Sequence, residues 1–273
     1  MATPNFTILL QDAVNKPGSI MQAYSAFHHY SLGNQLLALF ECNARGIEPG
    51  PINTFLGWKD LGRYVKKGQK AITLCMPVTV KRKEVDDDGE DRDATFTAFV
   101  YKPRWFVLAQ TEGQDIEAPT IPSWNVDRAL RALEVQRADF TLLDGNCQGY
   151  AQKRSIAINP VAQLPQKTLF HEVAHVILGH TSEADFSDSE HTPKSLREVE
   201  AEAVAMLCCE ALGLDGAEFC RGYIQEWLRR DGAIAIPEKS AHKILRAADQ
   251  ILKAGTVQCG SSTLEGSDHD TAN

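Results

Sequence analysis

Residues 168–180 read TLFHEVAHVILGH. Leu169, Phe170, Val173, Ala174, Val176, Ile177 and Leu178 make the stretch apolar enough for a buried helix, yet it carries His171, Glu172 and His175. On a helix, two residues four apart share a face. His171 and His175 can therefore bind one tetrahedral zinc ion. Glu172 lies about 100° round the helix, where it can take a proton from a water that the metal acidifies. This is the HExxH pattern of metallopeptidases. A helix with two ordinary core histidines is the poorer reading. Each buried imidazole or carboxylate without a partner would cost on the order of a few kcal/mol.

Such a site needs a third protein ligand. The metzincin arrangement wants His-x-x-Gly-x-x-His after the second histidine, and Gly179 and His180 fall at the wrong offsets. A later helix, REVEAEAVA (197–205), offers Glu198, Glu200 and Glu202. Glu198 and Glu202 share a face, and Glu200 points elsewhere. In gluzincin-type proteases the ligand glutamate is followed by a small residue at +3 and a polar one at +4, which orients a metal-bound histidine. Glu198, Ala201 and Glu202 fit, so Glu198 is the expected ligand and Glu202 its support, with the swap as the alternative. Ser195-x-x-Glu198 also matches a capping box, a reading that fails if the helix starts at Thr192-Pro193. His180 and His191 are exposed-histidine candidates for an assisting role. RSIAINP (154–160), just upstream, is the expected edge strand for an extended substrate, ended by Pro160.

Working outward, the pattern upstream is helical in TILLQDAVN and in IMQAYSAFHHYSLGNQLLALFECNARG, where apolar residues recur every three or four positions. TFLGWKDLGRYV suits a short helix. AITLCMPVTVKRK and TFTAFVYKPRWFVLA alternate like strands, with a charged, mobile turn between them. NVDRALRALEVQ is a helix, DFTLL, GYAQ and SIAIN are short strand candidates, and three helices follow the HExxH segment. The division is residues 1–112 as an N-terminal domain, 113–124 as a linker, 125–254 as a C-terminal domain and 255–273 as a disordered tail. The fold class is α+β.

From 59 to 83 the chain carries Lys59, Arg63, Lys66, Lys67, Lys70, Lys81, Arg82 and Lys83 against one acidic residue, Asp60. Phe55, Trp58 and Tyr64 are interleaved, and Tyr101, Arg104 and Trp105 follow. A cationic groove with aromatic platforms is what single-strand binders use, so Trp58, Lys59, Arg63, Tyr64, Lys66, Lys67 and Lys70 are candidate DNA contacts. A solvated charged face over a core containing Trp58 accounts for the run equally well. The net charge of −8 does not advertise nucleic acid for the chain as a whole. The seven cysteines are irregularly spaced and form no Cys-x-x-Cys pair. This argues for a reducing compartment and against a disulfide framework. With no signal peptide and no run of about 20 apolar residues, a cytoplasmic protein without a membrane partner is expected.

YSLGNQLLAL, TFLGWKDLGRYVKKGQKA and QTEG together resemble the N-terminal domain of the ArdC antirestriction family, and FHEVAHVILGH with EVEAEAVAMLCCEALGL resembles that family's zincin-like C-terminal domain. The resemblance covers residues 5–230. It implies a plasmid-borne protein that protects incoming conjugative DNA from host restriction, with a single-stranded-DNA-binding domain and a metallopeptidase-type domain. Carried over by position, it implies a metal at His171, His175 and a glutamate of the 198/202 pair, Glu172 as general base, and a DNA surface including 59–70. The expected metal is Zn2+, with another divalent ion such as Mn2+ as the alternative. Arg197-Glu198 stands where other members carry two adjacent glutamates. Two functional readings follow: a protein that coats single-stranded DNA, and a regulatory peptidase that cuts a repressor or a host restriction-modification protein. An inert metal-stabilised scaffold is a third.

Overall fold

The computed structural model describes residues 5–85, 91–117, 120–142, 146–181 and 193–257. The centre of the charged turn, most of the acidic loop with His191, and residues 258–273 of the expected tail lie outside them. The described chain divides into two compact units. One comprises residues 37–117; the other comprises 5–36 together with 120 onward.

The first unit is built on a long antiparallel hairpin, β3 (Ile72–Val85) and β4 (Asp91–Val107), with β1 (Ile52–Thr54) on the other side of β4. The pairing slips once. Ile72 faces Trp105 but Thr73 faces Pro103, so Arg104 is the extra residue of a bulge. On one face Ile72 and Leu74 are buried; on the other Pro77, Phe99 and Tyr101 are exposed. Helix α4 (Phe55–Asp60) is capped by Thr54 Oγ1, which accepts from Gly57 N at 3.1 Å. It delivers Trp58 to the core. A second ribbon pairs β2 (Arg63–Val65) with β5 (Thr111–Gly113). Gly113 has φ +130, and a Cβ there would sit 2.4 Å from the Gly62 carbonyl oxygen. Only glycine suits that approach, which accounts for the glycine of QTEG.

The second unit is organised round α7 (Lys194–Ala211). Every residue from Val199 to Ala211 is buried, so the helix is covered on all sides. Packed on it are α2 (Ser19–Phe27), α6 (Pro165–Ile177), α8 (Ala217–Arg230) and α9 (Glu238–Gly255). Helix α1 (Phe6–Asn15) lies on α8 and α9 and buries Leu9, Leu10, Ala13 and Val14. A small sheet runs in the order β7 (Gln136–Arg137), β9 (Ser155–Ile158), β8 (Gly149–Gln152).

Several boundaries differ from the sequence reading. The first two helices sit with the C-terminal unit, because their apolar faces fit α7, α8 and α9. The long second helical segment breaks at residues 28–31, between α2 and α3 (Leu32–Arg45). The linker ends in structure, since β6 (Ser123–Trp124) pairs with β10 (Thr256–Val257). Trp124 Nε1 donates to Ile251 O at 3.2 Å, and its ring lies 5.1 Å from that of Phe170. Residues 255–257 therefore belong to the fold and not to a tail. The described part of DFTLL is not a strand.

One buried ion pair ties the α1–α2 corner down. Arg221 on α8 pairs with Glu210 on α7 and donates to the carbonyls of Ala13 and Val14 at the end of α1. Glu210 also accepts from Ile20 N at 3.0 Å, at the start of α2. Removing one partner strands a buried charge, so Glu210→Ala is expected to lower unfolding stability by about 3–5 kcal/mol. Urea denaturation checks it.

Candidate metal centre

Pro165 opens α6 and Gly179, at φ +77, follows its end. Between them the helix buries Leu169, Phe170, Val173, Ala174 and Val176 and turns His171 and His175 toward α7. Their Nε2 atoms are 3.1 Å apart. Glu198 Oε2 lies 3.4 Å from His171 Nε2 and 3.6 Å from His175 Nε2. One ligand atom from each of the three falls within 4.8 Å of the others. Two imidazole nitrogens and a carboxylate oxygen, all half-buried, are a donor set that divalent transition ions accept.

Glu202, one turn further along α7, faces the other side of His171. Its Oε2 is 3.7 Å from His171 Nδ1, and its Oε1 accepts from Lys167 Nζ at 2.6 Å. The structure thus brings Glu198, not Glu202, to both Nε2 atoms. Because α7 begins at Lys194 after an N-cap at Pro193, with no capping side chain, Ser195 lies inside the helix and makes no capping box. Glu200 does point elsewhere. It accepts from His180 Nε2 at 2.9 Å, and His180 Nδ1 lies 3.0 Å from His175 Nδ1. His180 is therefore buried against the site rather than exposed. Sequence reasoning passed over this pair because a histidine five residues past a helical ligand has no periodic reason to return to it.

The electrostatics follow from the packing. Burial disfavours a charged His171, but the carboxylates of Glu198 and Glu202 beside it outweigh burial and raise its pKa to about 9. The two histidines hold Glu198 far below the usual carboxylate range. Burial would raise Glu202, yet His171 and Lys167 lower it. Glu172 is 7% exposed, and burial, only partly opposed by the nearby histidines, pushes its carboxyl up. Glu172 is thereby made easier to protonate than an exposed carboxylate.

An open cleft of about 410 Å³ runs past His171, Glu172, His175 and Glu198, with Tyr150 and Ala151 on one wall and Arg197 on another. The wall strand is β8. RSIAINP forms β9, which is central, hydrogen-bonded to β7 on one side and β8 on the other. The edge expected there thus belongs to β8 (149–152). Gly149 permits the close approach, since a Cβ would meet Thr168 Cγ2 at 2.8 Å and Glu172 Cγ at 3.2 Å.

In the other unit, two of the DNA candidates are structural. Trp58 is 1% exposed and its Nε1 donates to Phe106 O at 2.8 Å. Arg63 is 8% exposed; its Nε donates to Thr111 Oγ1 at 2.8 Å, and its guanidinium also reaches the carbonyls of Thr111 and Gln114. Neither can stack on a base or reach a phosphate without unfolding its surroundings. Tyr64, Lys59, Lys66, Lys67 and Lys70 are exposed, Lys66 Nζ donating to Ala109 O at 3.1 Å. The exposed aromatics Phe99 and Tyr101 share one hairpin face. The alternation of TFTAFVYKP carries the signal for Phe99, which the sequence reading did not single out.

The fold and site define the class: an α+β protein of two compact units, the second bearing a His–His–Glu cluster of metal-binding composition. Residues 11–107 match the family of the N-terminal domain of anti-restriction factor ArdC. Two crystal structures of the antirestriction ArdC protein from the R388 plasmid share the fold. The metal-free form is 20% identical with TM-score 0.52, covering 92% of this chain and 94% of that one. The Mn(II)-bound form is 17% identical with TM-score 0.51, covering 92% and 97%. A comparison with curated proteins gave no match. Residues 11–107 thus carry the ArdC N-terminal domain, and the chain as a whole shares the fold of the R388 protein. No helix among the described residues is long and apolar enough to cross a membrane.

The two glutamates should behave differently. Glu198→Ala is expected to abolish stoichiometric metal uptake. Glu202→Gln should weaken it by about 10–100-fold. Equilibrium dialysis with elemental analysis distinguishes them.

Proposed function

We propose that this protein shields incoming single-stranded DNA from host restriction, binding it through the 37–117 unit and carrying a divalent metal in the other unit. The observation that supports the antirestriction role is the match of residues 11–107 to the ArdC N-terminal domain. The DNA surface is Tyr64 with Lys59, Lys66, Lys67 and Lys70, all exposed round β2. Exposed aromatic and cationic side chains together suit stacking and phosphate contact without sequence readout. Phe99 and Tyr101 offer a further stacking face.

The metal would be held by His171, His175 and Glu198. The related R388 protein has a Mn(II)-bound structure, and the nitrogen-rich donor set suits zinc or manganese. Bound there, a divalent ion supplies Lewis acidity toward a carbonyl and acidifies water. The chain's own residues supply the rest of a peptidase. β8, at the edge of its sheet among the described residues, offers a strand beside which an extended peptide could pair. Ionised Glu172 would take a proton from the water whose oxygen bonds to the peptide carbonyl carbon, and would pass it to the amine as the C–N bond breaks. His171 and His175 stay fixed by their carboxylate and histidine neighbours. This arrangement favours a second reading, a regulatory peptidase that cuts a repressor or a restriction-system protein while the other unit places it on DNA.

Conjugative transfer of unmodified DNA into a restricting host separates the readings. With Glu172→Ala, full protection supports coating, and protection lost at unchanged DNA affinity and metal content supports proteolysis. Lys66→Glu with Lys67→Glu should weaken single-strand binding and make the salt slope shallower by about 1.4, two phosphate contacts being lost. Protection unaffected by that double change would point to a scaffold role instead.

A further inference from the structure

We propose that Glu200 and His180 are a positioning pair that makes His175 a metal ligand by dictating which of its ring nitrogens carries the proton. The inference rests on the metal-site reading of His171, His175 and Glu198. It concerns residues that this reading does not use.

Their side chains are 5% and 3% exposed, His180 and Glu200 respectively, so water does not compete for their bonds. An ionised carboxylate only accepts. The 2.9 Å contact with Glu200 Oε2 therefore places a proton on His180 Nε2. Neutral His180 then presents a bare Nδ1. His175 Nδ1 stands 3.0 Å from it and must be the donor. With its proton at Nδ1, neutral His175 has a lone pair at Nε2, the nitrogen that faces His171 Nε2 and Glu198. The opposite assignment fails at one end or the other. A proton on both Nδ1 atoms sets N–H against N–H. A proton on His175 Nε2 removes the donor atom the site needs.

The backbone holds the pair in register. Gly179, in the left-handed region, turns the chain back after α6, and His180 N donates to His175 O at 2.9 Å. That is the six-to-one closure of a helix C-terminus. It places the His180 ring beside the His175 ring, with centroids 5.1 Å apart. Glu200 comes from α7, two residues after Glu198, and unlike Glu198 does not line the cleft. The same helix thus supplies the ligand Glu198, the direct partner Glu202 for His171, and Glu200 acting on His175 through an intervening ring. Outer partners of this kind set ring orientation and ligand basicity.

The test uses the full chain. Affinity for zinc is measured by competition with a chromogenic chelator, and the cobalt(II)-substituted protein is read by visible absorption. His180→Phe is expected to weaken zinc by about 10–100-fold and to shift the cobalt spectrum. His180→Gln, whose carbonyl can accept from His175 while its amide donates to Glu200, should restore most of the affinity. Urea unfolding of the metal-free variants identifies any that are misfolded. Long-range 15N–1H NMR of the wild type, zinc-loaded and metal-free, should show Nε2–H on His180 and Nδ1–H on His175. Equal zinc affinity in folded wild type and His180→Phe, or an Nε2–H tautomer of His175, overturns the pair. A wild type that takes up no metal overturns the underlying reading instead, and the tautomers then decide the pair separately.

Discussion

A helix buried on every side carries four glutamates, and each of them has to be neutralised from a different direction. Helix α7 holds Glu198, Glu200, Glu202 and Glu210, the last three almost fully buried. A buried carboxylate left alone is costly, so its partners fix the neighbouring elements in register. Lys167 and His171 fix α6 through Glu202; His180 fixes the turn after α6 through Glu200; Arg221 fixes α8 through Glu210. Sliding α6 by one turn along α7 would strand at least two charges. The spacing of His171, His175 and Glu198 is thus a by-product of charge satisfaction across one helix interface.

The other unit solves a different problem. Its basic run has to stay in solvent while a small sheet acquires a core. The chain does this by splitting the run's residues between two jobs. Trp58 and Arg63 turn inward and make hydrogen bonds to backbone carbonyls, whereas Tyr64 and the lysines flanking them turn outward. Arg63 is suited to the inward task, because its planar fork can satisfy several acceptors at once. Lysine spares its charge for solvent.

Much of this was legible beforehand. HExxH spacing placed both histidines on one face, and the Glu198/Glu202 separation placed both carboxylates on the facing helix, because helical periodicity is a local property. The preference for Glu198 came from a spacing pattern, and Glu198 is the one whose carboxylate lies near both Nε2 atoms. What the sequence hid was non-local. Nothing in Trp58 or Arg63 announces an inward direction, since side chains of both kinds serve in cores and on surfaces. β9 was mistaken for an edge because a two-residue neighbour, Gln136–Arg137, is too short to carry a pattern. The breadth of the C-terminal unit was hidden too, since α1 and α2 look like ordinary amphipathic helices until their partners, about 200 residues away, are known.

The corner held by Arg221 has a consequence for biosynthesis. Helices α1 and α2 leave the ribosome well before the groups that cap and cover them, which lie on α7, α8 and α9. Residues 37–117 can complete their sheet while synthesis continues, as domains commonly do. The other unit cannot, and α1 and α2 must wait with apolar faces uncovered. The 37–117 unit can therefore close during translation, whereas the other acquires its α1–α2 corner only once α8 and α9 have been made. For the same reason, cutting the polypeptide in the linker parts α1 and α2 from the helices that cover them and leaves the second unit incomplete.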